Sequence, residues 1–145
     1  MAKKPVFVSF DYENDRNYKY LLEAWDANPQ FDFLFADETP DEINSNNIGR
    51  IKAAISAKIN LATYTLVIVG KEANTLHRHW RLIGYRNWIN FEVAKSKESG
   101  NRLVAVKLDR SNQPPEELLN AGASWAMSYS QDAIIRALEE AAENG

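Results

Sequence analysis

The residues best placed to do chemistry stand in the run WINFE, Trp88 to Glu92. A spacing of four puts Trp88 and Glu92 on one face of a helix, a turn apart. A glutamate that shares a face with an indole and follows Phe91 is badly placed for a purely solvated charge. Held partly out of water, such a carboxylate can stabilise a developing positive charge or attack it as a nucleophile. The same residue types also suit an ion pair or a helix cap, and Trp88 and Phe91 also suit core packing. A second group is the stretch Ser9 to Asp15, with Ser9, Phe10 and Asp11 leading into a helix that Asn14 or Asp15 is expected to cap. In a third, Arg78, Arg81 and Arg86 interleave with Trp80 and Tyr85. That pattern suits a pyrophosphate, a nucleic acid or a partner protein, and equally a solvated helix face. His77 and His79 form an H-x-H with no third ligand nearby in the chain, which reads as surface loop rather than metal site.

Absent motifs narrow the chemistry. The chain has 145 residues and no cysteine, which excludes thiol nucleophiles, disulfides and Cys-ligated metals. The segment SFDYEN after the first apolar run has no glycine, so the dinucleotide fingerprint G-x-G-x-x-G is missing. There is no Walker loop and no G-x-S-x-G elbow. Bulky Phe10 and Tyr12 do not suit a flavin-phosphate loop, and Gly70-Lys71 offers no phosphoacceptor carboxylate after the third apolar run. With 17 Lys and Arg against 20 Asp and Glu the net charge is −3, which counts against a general nucleic-acid binder. The longest apolar runs fall far below the ~18 residues of a membrane span, and the N-terminal run is too short for a signal peptide. A cytoplasmic chain without membrane contact is expected.

These residues need elements to hold them. Val6, Phe7, Val8 and Phe10 make a near-continuous apolar run, as a strand covered on both faces requires. Tyr18, Leu21, Leu22 and Trp25 form one helical stripe after a start near Asp15. A second strand is expected over Phe31 to Asp37, and Asn46 or Asn47 caps a helix carrying Ile48, Ile51, Ile55 and Ile59. Further strands are expected over 64–69, 102–108 and 124–129. Helices are expected over 88–99, from Pro114-Pro115 through Asn120, and from Ser130 or Gln131 to the end. The connection from Lys71 to Asn87 is longer than usual. Alternating β and α with two-sided strands implies one domain over residues 1–145. Its fold class is α/β, a doubly wound parallel five-stranded sheet of flavodoxin-like order 2-1-3-4-5. Ligands in such sheets bind beyond the carboxyl ends of the strands, at the switch between strands 1 and 3.

Taken together, PVFVSFDYEND, the FDF strand ending in Asp37, TLVIVG, WINFE and RLVAVKL resemble the TIR-like proteins of the Thoeris antiphage type. The resemblance covers about Lys4 to Ala142. It implies a flavodoxin-like TIR sheet and cleavage of NAD at the nicotinamide–ribose bond. It also implies cyclisation of the ADP-ribose product into a signal for a separate effector. NAD enters as substrate, and no cofactor is expected. The family's catalytic glutamate carries over to Glu92 and its tryptophan to Trp88, while Asp37 to Asn47 matches the mobile loop beside the pocket. The expected substrate contacts are Ser9, Phe10, Asp11, Asp37, Trp80 and Trp88, with Phe10 or Trp80 as stacking walls. Self-association through TIR-like surfaces is a further implication, with activity waiting on assembly. The rival reading is a catalytically silent TIR-like interaction module.

Overall fold

The computed structural model describes residues 4–26, 33–35, 47–126 and 128–144. Its strands are β1 (Lys4–Ser9), β2 (Phe33–Phe35), β3 (Tyr64–Val69), β4 (Arg102–Lys107) and β5 (Ser124–Ala126). Its helices are α1 (Tyr12–Asp26), α2 (Ile48–Leu61), α3 (Trp80–Ile83), α4 (Trp88–Ser99) and α5 (Gln131–Asn144), with a 3-10 turn at Glu116–Leu118. All strand pairs are parallel, in the order β2-β1-β3-β4-β5. Ser9 stands opposite Val67, so the ends of β1 and β3 lie side by side.

Period-2 alternation splits the strands between two layers. Val6, Val8, Leu66, Ile68, Val104 and Val106 face Leu22 of α1 and Ile134, Ala137, Leu138 and Ala141 of α5. On the other face Phe7 meets Ile51, Ile55 and Ile59 of α2, Ile83 of α3 and Phe91 of α4. Val67, Val69, Leu103 and Ala105 pack on Ile89 and Val93 of α4 and on Leu118. Each fully buried aliphatic side chain contributes roughly 1.5–3 kcal/mol. Among the described residues no helix is long and apolar enough to cross a membrane.

Several expectations need correction. Helix α1 begins at Tyr12 because Asp11 caps it, accepting from Glu13 N–H at 3.1 Å and Asn14 Nδ2 at 2.6 Å. Asp15 is therefore not the cap; it lies within the helix and is buried. Leu21 is exposed, and the buried stripe of α1 runs instead through Asp15, Lys19 and Leu22, with Lys19 pairing with Glu23. The segment after Pro115 makes one 3-10 turn rather than a helix through Asn120, which has a positive φ of 57°. Strand β5 ends at Ala126, short of Tyr129, whose hydroxyl instead donates to the carbonyl of Tyr18. Asn47 does cap α2, accepting from Arg50 N–H.

Candidate functional site

Helix α4 builds the centre of the site. Asn87 caps it by accepting from Asn90 N–H at 2.9 Å, and Gly100 ends it in the left-handed conformation at φ 78°. Seven of its residues, Ile89 to Ala94 and Ser96, are buried, because the sheet, α2 and the 3-10 turn surround it. Beside Ile89 and Val93, which pack on the sheet, α4 carries a buried polar stripe of Glu92 and Ser96. Ser9 Oγ donates to Glu92 Oε1 at 2.7 Å, and one turn later Ser96 Oγ pairs with Thr65 Oγ1 at 2.7 Å. Glu92 is only 2% exposed and Ser9 is fully buried. Burying a carboxylate is costly unless hydrogen bonds compensate, and the Ser9 hydroxyl supplies one.

Above this pair opens a cleft of about 670 Å³, within the usual range for a small-molecule site. Phe10, Asp11 and the first turn of α1 form one wall, and Asn87, Trp88 and Ile89 form another. Glu72 and the stretch from Thr75 to Arg78 close the rim. Trp88 meets Phe91 edge-on at 5.6 Å and His77 at 6.5 Å, so it serves the core and the cleft wall together. Glu92 does not line the open cleft. It sits four residues below Trp88, roughly 6 Å along the helix axis.

The other expected contacts divide. Phe10, Asp11 and Trp88 reach the cleft; Ser9 lies beneath it, bonded to Glu92. Trp80 stands outside on α3, 41% exposed, with the Arg81 guanidinium 5.2 Å from its ring centre. Asp37 and residues 38–46 lie outside the described residues. His77 Nδ1 accepts from His79 N–H at 2.9 Å, tying the H-x-H into a turn.

Two features escaped the sequence reading. An asparagine network holds the long connection before α4. Asn87 Nδ2 donates to the carbonyls of Ala73 and Thr75, both at 3.0 Å, and Asn90 Nδ2 donates to Asn74 Oδ1 at 3.1 Å and to Asn87 Oδ1 at 2.9 Å. Asn74 Oδ1 and Asn90 Oδ1 accept from the backbone of Glu116 and Glu117. The Asn87–Asn90 spacing hinted at a cap but not at this web. The second feature is Asp15, on the opposite side of the sheet from Glu92. Its carboxyl occupies the space a side chain at Gly70 would need, for a Cβ there would come within 1.9 Å of Oδ2. Among the described residues that oxygen is buried without a hydrogen-bond partner. Burial first, and the nearby Asp11 second, push the Asp15 carboxyl up to about 6.

A family model described as Thoeris protein ThsB, TIR-like domain, matches residues 7–113. That stretch runs from β1 past β4 and includes the cleft walls. Among solved structures, a 2-desoxiribosyltransferase from Leishmania mexicana is similar, with a TM-score of 0.58 at 11% identity over 94% of this chain and 97% of that one. A prokaryotic SEFIR domain is similar with a TM-score of 0.55 at 15% identity, over 95% and 89% of the two chains. At these identities the likeness is one of fold. No curated protein matches.

Proposed function

The chain belongs to the TIR-like domain family of Thoeris protein ThsB, and from that membership we propose that it cleaves NAD at the nicotinamide–ribose bond, with Glu92 as the carboxylate at the ribose. One observation carries this reading. The single carboxylate on the buried side of α4 is bonded to the end of β1, one turn beneath an aromatic-walled cleft.

The bond to be broken joins ribose C1′ to a positively charged ring nitrogen. Its electron pair leaves with the ring, nicotinamide departs neutral, and no acid is needed to protonate it. The demand falls on the sugar, where positive charge develops at C1′ and the ring oxygen. One ionised carboxylate beside that centre stabilises it or adds to it transiently. Water then attacks C1′ and loses a proton, giving ADP-ribose. Attack by a nucleophile of the ADP-ribose itself gives a cyclic product, a nucleotide signal for a separate effector. Walls of Phe10 and Trp88 favour the second outcome by keeping water out.

Because Glu92 lies below the open cleft, the ribose reaches it only after the cleft deepens along α4. The described arrangement thus fits a resting form that self-association opens. The test incubates the full chain with NAD, dilute and crowded, and follows nicotinamide release and product mass. Glu92→Gln is expected to lose turnover by about 100-fold or more. Its thermal midpoint, read alongside, separates lost chemistry from lost folding; Ser9 Oγ can donate to the amide oxygen as it does to the carboxylate. Turnover unchanged in this variant removes Glu92 from the mechanism.

A further inference from the structure

Three arginines in the connection before α4 share one sequence pattern, and the structure gives them three different situations. Arg86 donates from Nε to the carbonyl of Asn74 at 2.6 Å, so it is part of the frame. Arg81 lies over the ring of Trp80, outside the cleft. Arg78 alone lines the cleft, and it has no hydrogen bond or ion pair among the described residues. Its backbone is nevertheless fixed. His77 N–H donates to the carbonyl of Arg86 at 2.8 Å, and Trp80 N–H donates to that of His77 at 3.1 Å. A guanidinium with no partner among the described residues, on an anchored turn, is ready for a ligand's anionic oxygens.

Charge along the cleft is uneven. Near α1 the lining carries Asp11 and Glu13, with Glu72 on the adjoining rim. Asp11 is committed to its cap, and Glu72 accepts from Thr75 Oγ1. Across from them, α4 presents its amino end with no acidic residue in its first turn. Among the described lining residues Arg78 is the only one with a permanent positive charge. A phosphate is therefore repelled from the α1 end and drawn to the rim at Arg78, while a cationic ring is drawn the other way.

We propose that Arg78 binds the pyrophosphate of a dinucleotide and so sets its direction, with the cationic ring toward Asp11 and the end of β1. This rests on the reading that the cleft takes NAD. It deepens that reading by placing the reacting ribose on the side where Ser9 holds Glu92.

The experiment measures equilibrium binding to the full chain, with no turnover required. The probes are ADP-ribose, which has the pyrophosphate but no cationic ring, and nicotinamide riboside, which has the ring but no phosphate. Arg78→Gln is expected to weaken ADP-ribose about tenfold or more at low salt and to flatten its salt dependence. Nicotinamide riboside should bind this variant within about twofold of wild type, and Arg81→Gln should match wild type for both probes. Equal ADP-ribose affinity in wild type and Arg78→Gln overturns the proposal, as does an equal loss in Arg81→Gln. Failure of wild type to bind ADP-ribose overturns it together with the NAD reading. Binding through Arg78 alongside unimpaired turnover in Glu92→Gln would leave the phosphate site standing and remove only the assigned carboxylate.

Discussion

Two carboxyls approach the adjoining ends of β1 and β3 from opposite faces of the sheet, and their surroundings differ. Glu92 receives the Ser9 hydroxyl, whereas Asp15 buries Oδ2 with no donor among the described residues. A carboxyl whose folded pKa stands near 6, against 3.8 ordinarily, holds its proton more tightly in the native state than in the unfolded chain. The native state is then favoured when Asp15 is protonated. That advantage fades as the pH climbs from about 4 to about 6 and is gone above it. Asp15→Asn is expected to be more stable than wild type at pH 8 by on the order of 1–2 kcal/mol and close to it at pH 4. Urea midpoints across that range check it. The sequence pointed to Asn14 or Asp15 as the cap and passed over Asp11, although all three side chains can accept from a helix N–H. Only the three-dimensional contacts assign the cap to Asp11 and the burial to Asp15. The fit of Asp15 against Gly70 was illegible for the same reason, being a contact between residues far apart in the chain.

At the scale of elements, α4 was bounded correctly because both its ends announce themselves, Asn87 as cap and Gly100 as terminator. Its surroundings were less visible. A helix buried nearly all round carries little amphipathic signal, so WINFEVAKSKES does not reveal which side meets the sheet. The connection before it posed a similar problem, because asparagines there look like ordinary loop residues. In the fold they bind three segments together, with Asn90 fully buried at the centre. Asn90→Ala leaves the Glu117 N–H without its acceptor and Asn74 and Asn87 each short of a donor. It is expected to cost roughly 2–4 kcal/mol. Hydrogen exchange should show the loosening first in residues 72–87 and around Glu116. Protection unchanged in both places would mean that other contacts hold the connection.

For the molecule as a whole, the alternation of apolar runs and helical stripes was enough for an α/β reading with a parallel sheet, since two-sided strands leave few other architectures. The family match stops at residue 113, yet the layer beyond it completes the core. Ile134 and Leu138 of α5 are fully buried, in a helix that packs on β4 and β5. Leu138→Ala is expected to cost about 2–5 kcal/mol. It should lower the urea midpoint at constant m-value and leave ADP-ribose binding intact at temperatures where the variant remains folded. The asparagine web has its own bearing on how the molecule meets its medium. Its cross-links are uncharged amides, indifferent to ionic strength and to any mild acidity, whereas an arginine reaching for phosphate depends on both ligand charge and salt. Brine that strips an anionic guest should leave the frame around the vacated seat standing.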